Sequence, residues 1–325
     1  RKTMTQTKPA AHEATGTVAA PRPAAEHAAA VAAVQPAPPS LQEELRAALA
    51  PIPGGFFDYG ARHSTFPGDM DAPRLRVKVR PFRIARTAVT NREFARFVAA
   101  TGYCSVAERE GWTYVFHLLL DDPDRWPVSP PGLPWWRKVD GAAWHSPEGP
   151  GSGISGREDH PAVHIAWYDA LAYCRWAGLR LPAEVEWERA ARGGLARQKF
   201  PWGNALTPGG RHAMNTWQGD FPHRNTAEDG YLGTAPVDAF APNGYGVFNT
   251  TGNVWEWVRD AFGPRDGAQP EDEPDAASVA SGAPRVQRGG SYLCHVSYCD
   301  RYHVHSRTRN DPDSTTGNCG FRVAG

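Results

Sequence analysis

The chain has 325 residues, of which 41% are hydrophobic, and Lys plus Arg equals Asp plus Glu at 35 each. Balanced charge excludes the long-range field that gathers nucleic acid or an anionic membrane, so a neutral partner, peptide or small molecule, is expected. The length suffices for one large domain or two ordinary ones, while Gly 33, Pro 30 and Trp 12 point to a loop-rich fold with little repetitive structure.

Residues 1–40 are rich in Ala, Pro, Thr and His, with almost no large apolar side chains to bury, and are expected to form a disordered tail. AAAVAAV is preceded by Glu26 and His27 and followed by no leucine-rich core, so no signal peptide is expected. No run of eighteen apolar residues occurs, which leaves no membrane span and makes the cytoplasm the default compartment. Residues 41–51 read as a short helix and linker: LQEELRAAL follows Ser40 with Glu43 at capping-box spacing, and Pro51 ends it.

From residue 52 one domain is expected to run to residue 325, interrupted by a surface loop over 263–284. Short strands are expected at 76–79, 82–85, 163–166, 285–289 and 320–323. Thr90 with Glu93 makes a second capping box, so 91–100 should be a helix ending at Gly102. Helices are also expected at 167–177, closed by Gly178, and at 182–192, closed by Gly193 and Gly194.

Five cysteines cannot all pair within one chain, and Cys104, Cys174 and Cys319 stand apart, so no disulfide framework is expected. Cys294 and Cys299 are the exception, five positions apart. Such a pair can grip Cu(I), form a redox-active disulfide, join His303 and His305 in a zinc site, or act as two buried thiols. Zinc knuckles place their cysteines closer together, so zinc fits the spacing poorly. No glycine-rich phosphate loop occurs, and a nucleotide cofactor has no support.

Taken together, PAVHIAWYDALAYCRWAGLRLPAEVEWERAARGG, FPWGN, NTWQGDFPHRNTAEDGYLGTAPV, NGYGVFNTTGNVWEWVRD, RGGSYLCHVSYCDRY and NDPDSTTGNCGFR resemble the formylglycine-generating enzymes, the sulfatase-modifying factors, from about residue 52 to 324. GNVWEW and GFR mark the fold; SYLCHVSYC is specific to members that oxidise cysteine. The resemblance implies an α+β, loop-rich variant of the C-type-lectin-like fold with low regular secondary structure. It further implies a copper-dependent oxidase that uses O2 to convert the cysteine of a C-x-P-x-R peptide, in an unfolded or nascent sulfatase, to Cα-formylglycine.

By the same resemblance Cys294 and Cys299 would hold Cu(I), and Ser291 and Trp255 would line an oxygen pocket. Asn249, Gly252, Val254 and Glu256 would form one structural calcium site, and Asn215, Thr216, Asp229 and Tyr231 a second. His303 and His305 depart from the family pattern, and Val304 and Val323 stand where animal members carry half-cystines. The imidazoles leave open the same copper chemistry on another cysteine-containing peptide of a biosynthetic pathway. A non-catalytic binding module of the same fold is the third reading.

Overall fold

The computed structural model describes residues 24–270 and 273–325. In chain order these form α1 (Ala24–Ala32), α2 (Pro39–Ala47), β1 (Ala50–Ile52), β2 (Gly55–Tyr59), β3 (Leu75–Val79), β4 (Phe82–Ile84), α3 (Asn91–Thr101), α4 (Val106–Glu110), β5 (Trp112–Phe116) and β6 (Trp136–Asp140). There follow α5 (Trp167–Ala177), α6 (Glu184–Ala191), β7 (Gly219–Asp220), β8 (Arg224–Asn225), β9 (Trp255–Ala261), α7 (Ala276–Ala280), β10 (Arg285–Arg288), β11 (Arg307–Asn310) and β12 (Cys319–Phe321). Short elements joined by long irregular segments bear out the α+β, loop-rich expectation. Among the described residues no helix is long and apolar enough to cross a membrane.

The one sheet larger than a hairpin has the order β11-β10-β9-β12, antiparallel except for the parallel β9–β12 pair. In that pair Gly320 faces Glu256, and a Cβ on Gly320 would stand 2.6 Å from the carbonyl oxygen of Ala162, so only glycine fits. Against the sheet lies an aromatic core in which Phe94 and Phe97 of α3 meet Tyr173 and Trp176 of α5 and Phe321 of β12 at centroid separations of 5.4–6.4 Å. Two of the buried indoles bond to the backbone: Trp167 Nε1 donates to the Val258 carbonyl at 3.0 Å, and Trp257 Nε1 to that of Ile165 at 2.8 Å.

α3 starts as the capping box predicts, Thr90 and Glu93 exchanging bonds of 3.1 and 2.8 Å, and ends at left-handed Gly102. α5 and α6 have alanine before their first turn. There Asp169 reaches back to the Ala166 amide, at 2.8 Å, and Glu186 to that of Ala183, at 2.9 Å. The box expected at Ser40 and Glu43 does not form, because Pro38 holds the position before α2 and Ser40 lies inside the helix.

The disordered tail expected over 1–40 needs correction for its second half; residues 1–23 lie outside the described residues. α1 packs on α5 and α7, burying Val31 and, just beyond, Val34 and Ala37. Arg175 Nε donates to the Val34 carbonyl at 2.8 Å, and the Ala37 amide to that of Trp176, also at 2.8 Å. Small alanines let α1 lie close to its neighbours, so few large side chains were needed. Residues 41–51 are no linker either, since β1 pairs with β4 and continues the domain.

Residues 163–166, read as a strand, belong to none. They lead into α5 with His164 in a left-handed conformation. The expected loop over 263–284 carries α7, where Val279 packs on the core.

His164 is fully buried. Its Nε2 faces the Pro147 carbonyl at 2.8 Å and its Nδ1 the Thr113 hydroxyl at 3.0 Å, a pairing that suits the neutral ring. Burial lowers its pKa to about 4. Below pH 6.5 the unfolded chain takes up a proton that the folded state refuses until about pH 4. Stability is therefore lost as pH falls through that window, by about 3 kcal/mol. Urea unfolding at pH 7 and pH 4.5 should show this drop in the native chain and a smaller one in His164→Leu.

Candidate active site

β10 ends in two left-handed glycines, Gly289 and Gly290, which turn the chain into buried Ser291. A tight turn follows: the Cys294 amide donates to the Ser291 carbonyl at 2.9 Å, and the Ser291 amide points at Cys294 Sγ at 3.4 Å. His295 and Tyr298 close a small hairpin with bonds of 2.8 and 2.9 Å. Cys299 and Asp300 then adopt φ of +69° and +48°, strained for residues with a Cβ, and double the chain back. The result packs Cys299 against the cluster that holds Cys294, near enough for each thiol to act on the ionisation of the other. Cys294 is buried, Cys299 half-buried, and neither forms a disulfide.

Burial by itself would raise the pKa of Cys294, but the Cys299 thiol, the Ser291 amide and the Arg301 guanidinium outweigh it and hold Cys294 below an ordinary thiol. Cys299 moves well above, because burial and its partner's charge both oppose a second ionisation. The two thiols therefore ionise in separate steps, Cys294 first. Arg301 supplies the nearby positive charge and is itself held in place: its fork grips Asp69 at 2.6 and 3.2 Å, its Nη1 donates to the Cys299 carbonyl at 3.1 Å, and it lies 3.9 Å over the Phe66 ring.

The structure brings Ser291 against Cys294 and ties Ser291 to Trp255. Asn318 links them, its carbonyl accepting from the Trp255 amide at 2.8 Å and its Nδ2 donating to Ser291 Oγ at 3.0 Å. Ser291 Oγ also accepts from the Leu293 amide at 3.2 Å, so its hydroxyl hydrogen is left to point elsewhere. Trp255 and Cys294 belong to one apolar cluster. On the outer side Tyr298 stacks on Phe221 at 3.9 Å, and Trp135 stands edge-on to both. Asn318, Asp69 and this aromatic wall were missed by sequence reasoning; Asp69 lies 232 residues from Arg301, and no local pattern connects them.

His303 and His305 do not join the thiols. Their rings stack on each other at 5.3 Å, His305 Nδ1 meets Asp71 at 3.0 Å, and burial lowers the His303 pKa to about 4. Among the described residues no three His, Cys, Asp or Glu side chains converge on a metal position.

Of the two oxygen-ligand sets, Asn215, Thr216, Asp229 and Tyr231 come together. Asp229 accepts from the Thr216 amide at 2.9 Å and the Tyr231 amide at 3.0 Å, and Asn215 Oδ1 is buried without a partner among the described residues. A buried orphaned oxygen suits a hard cation, while the Asp229 oxygens also accept from Gln218 Nε2 at 3.0 Å. Asn249, Gly252, Val254 and Glu256 line the entry to β9, but there the Glu256 carboxylate already answers buried Arg322 through two bonds of 2.7 Å and Trp187 Nε1 through a third of 2.7 Å. Any ion at that set would have to share its single carboxylate with Arg322.

Beneath the thiol turn lies a buried ion network. Arg288 spans Glu184 and Glu188 at 2.6 Å each, Arg307 grips Glu184 with two bonds of 2.7 Å, and Arg192 holds Glu188 at 2.7 and 3.0 Å.

Sheet, helices and irregular cover together define the fold shared with PvdO from Pseudomonas aeruginosa, which aligns at a TM-score of 0.58 with 24% identity over 85% of this chain and 93% of that one. Residues 35–325 match the family described as Sulfatase-modifying factor enzyme 1-like domain, and the chain belongs to it. It is 53% identical to the formylglycine-generating enzyme of Streptomyces coelicolor, over 94% of this chain and 96% of the relative. Against the formylglycine-generating enzyme of Thermomonospora curvata the identity is 51%, over 87% and 94%. An inactive Cα-formylglycine-generating enzyme 2 of Bos taurus also matches, at 41% over 85% and 87%. Family membership alone therefore does not decide activity.

Proposed function

We propose that the chain is a working formylglycine-generating enzyme, which converts the cysteine of a C-x-P-x-R segment in an unfolded or nascent sulfatase to Cα-formylglycine with O2 as oxidant. Because an inactive relative shares the fold, the observation that carries this reading is the closeness of Cys294 and Cys299 inside an anchored turn. Two adjacent thiols, one of them the readier to ionise, are a soft, low-coordinate donor set, and they would hold Cu(I) with room for a substrate thiol. Bound copper would supply the activation of O2.

The protein's own contributions are positional. Arg301 fixes the Cys299 backbone and offsets thiolate charge. The Ser291 hydroxyl, held by Asn318, can donate a hydrogen bond to a reduced oxygen species. Trp255 keeps bulk water out, and the wall of Trp135, Phe221 and Tyr298 offers apolar surface to an extended peptide. The test is to incubate the Cu(I)-loaded protein with a C-x-P-x-R peptide and trap any aldehyde. Aldehyde should form under air and not under argon; no aldehyde under air would overturn the reading.

A structural calcium ion at Asn215, Thr216, Asp229 and Tyr231 belongs to the same proposal. A chelator should lower the melting temperature of the native chain by about 5 °C and leave Asp229→Ala unmoved. Equal chelator shifts in both would remove the ion from this site.

A further inference from the structure

A cavity of about 450 Å³ lies beyond His305, and its charged lining is entirely basic. Arg62, His63, Arg74, Arg197, Lys199 and His305 contribute to it, and no carboxylate does. Some of this charge is answered from outside, since His305 meets Asp71 and Arg197 meets Asp58 at 2.7 Å. Yet Asp58 also serves Arg76, at 3.3 Å, so one carboxylate offsets two guanidinium groups. Among the described residues Arg62, Arg74 and Lys199 have no acidic partner within ion-pair distance. The concentration of unbalanced positive charge is local, because the chain as a whole is neutral.

Two further observations point to a ligand. Arg74 Nε is buried with no hydrogen-bond partner among the described residues, a cost normally met by a bound acceptor. Arg197 stands in a left-handed conformation with φ of +61°, and its guanidinium is fixed at the cavity by Asp58. Strain spent on presenting a cation suits a binding role.

The cavity also connects to the thiol pair. Tyr302 follows Cys299 by three positions in the chain, His303 lies 5.0 Å from Tyr302, and His305 lies 5.3 Å from His303. His305 follows Cys299 by six positions, so the two lie at most roughly 20 Å apart, which an extended peptide spans in about six residues.

We propose that this cavity is an oxyanion subsite that takes a carboxylate side chain of the target polypeptide, within about six positions of the cysteine being oxidised. A free inorganic oxyanion has the same chemistry and would compete for it. This rests on the functional reading above. The subsite adds selection of substrates by an acidic residue outside the C-x-P-x-R segment.

The experiment uses the Cu(I)-loaded full chain at low salt with paired C-x-P-x-R peptides, carrying Glu or Gln at each of positions three to seven on either side of the cysteine. One Glu placement should lower KM about five- to tenfold relative to its Gln twin, with kcat little changed. Arg74→Gln or Lys199→Gln should erase the difference without affecting turnover of the Gln peptide, and inorganic sulfate should inhibit the Glu peptide alone. Equal KM values for every Glu and Gln pair would overturn the proposal. So would sulfate binding without any preference for Glu, which would assign the cavity to a free anion. If no peptide is turned over, the functional reading fails by itself. Fluorescence anisotropy of labelled peptides then reads the subsite directly, and equal affinities would sink it.

Discussion

Changing either Cys294 or Cys299 to serine should lower aldehyde formation at least about a thousandfold while the protein stays folded. Serine keeps nearly the volume of cysteine, so the buried turn retains its packing, and the circular dichroism spectrum should match that of the native chain. What disappears is the soft donor. A hydroxyl does not ionise in this environment, and the remaining thiol loses the neighbour that tunes its ionisation. Both single variants should fall to the level of the double variant, because a two-ligand site with one ligand removed is no site. If either variant kept more than about a tenth of native activity, the paired-thiol mechanism would be wrong.

Asp69→Asn is a graded version of the same test. Asparagine can meet only part of the Arg301 fork, so Arg301 loosens against the Cys299 carbonyl, and the strained backbone at Cys299 loses its anchor. Activity should fall about tenfold, in kcat more than in KM, and Asp69→Glu should recover part of it. A KM effect alone would show that Asp69 binds peptide rather than positions the thiol.

What could be read from the chain was what is local along it. Thr90 and Glu93 stand three residues apart and cap α3 as their spacing predicts, and the glycines after α3 and α5 end those helices. β9 escaped notice because Trp255, Glu256, Trp257 and Val258 are all buried, which removes the alternation that marks a half-exposed strand. α1 escaped because alanines pack a helix closely without looking like a core.

The site divides in the same way. Cys294, Cys299 and Ser291 lie in one short run whose resemblance to a known catalytic stretch could be recognised. Their supports cannot be seen there, since Asp69, Asn318 and Trp135 reach the turn only through the tertiary fold. The left-handed backbone of Cys299, which cysteine does not favour, is held at its carbonyl by Arg301, whose fork Asp69 fixes.

Glu188→Ala should destabilise the protein by about 3–5 kcal/mol, the largest stability effect of any single change considered, even though Glu188 touches neither thiol. Glu188 is fully buried and accepts from Arg288, Arg192 and the Gly60 amide at distances from 2.6 to 3.0 Å. Removing it leaves Arg192 with no carboxylate, Arg288 with Glu184 alone and the buried Gly60 amide with no acceptor. Burial would raise its pKa, but Arg192, Arg288 and the Gly60 amide outweigh this and hold it at about 2, against 4.5 for the free group. The unfolded state therefore binds the proton first on acidification. The contribution is complete above about pH 4.5 and is lost as pH falls toward 2. Thermal unfolding should show the midpoint at pH 7 lowered by about 10 °C in Glu188→Ala, with the gap between variant and native chain closing below pH 3. Arg288 ends β10 three residues before Ser291, so loss of its partner should also loosen the turn that carries the thiols. Glu188→Gln, which keeps the volume and part of the hydrogen bonding but not the charge, should fall between the two in stability. A Gln variant as stable as the native chain would show that packing, rather than the ion network, holds β10 in place.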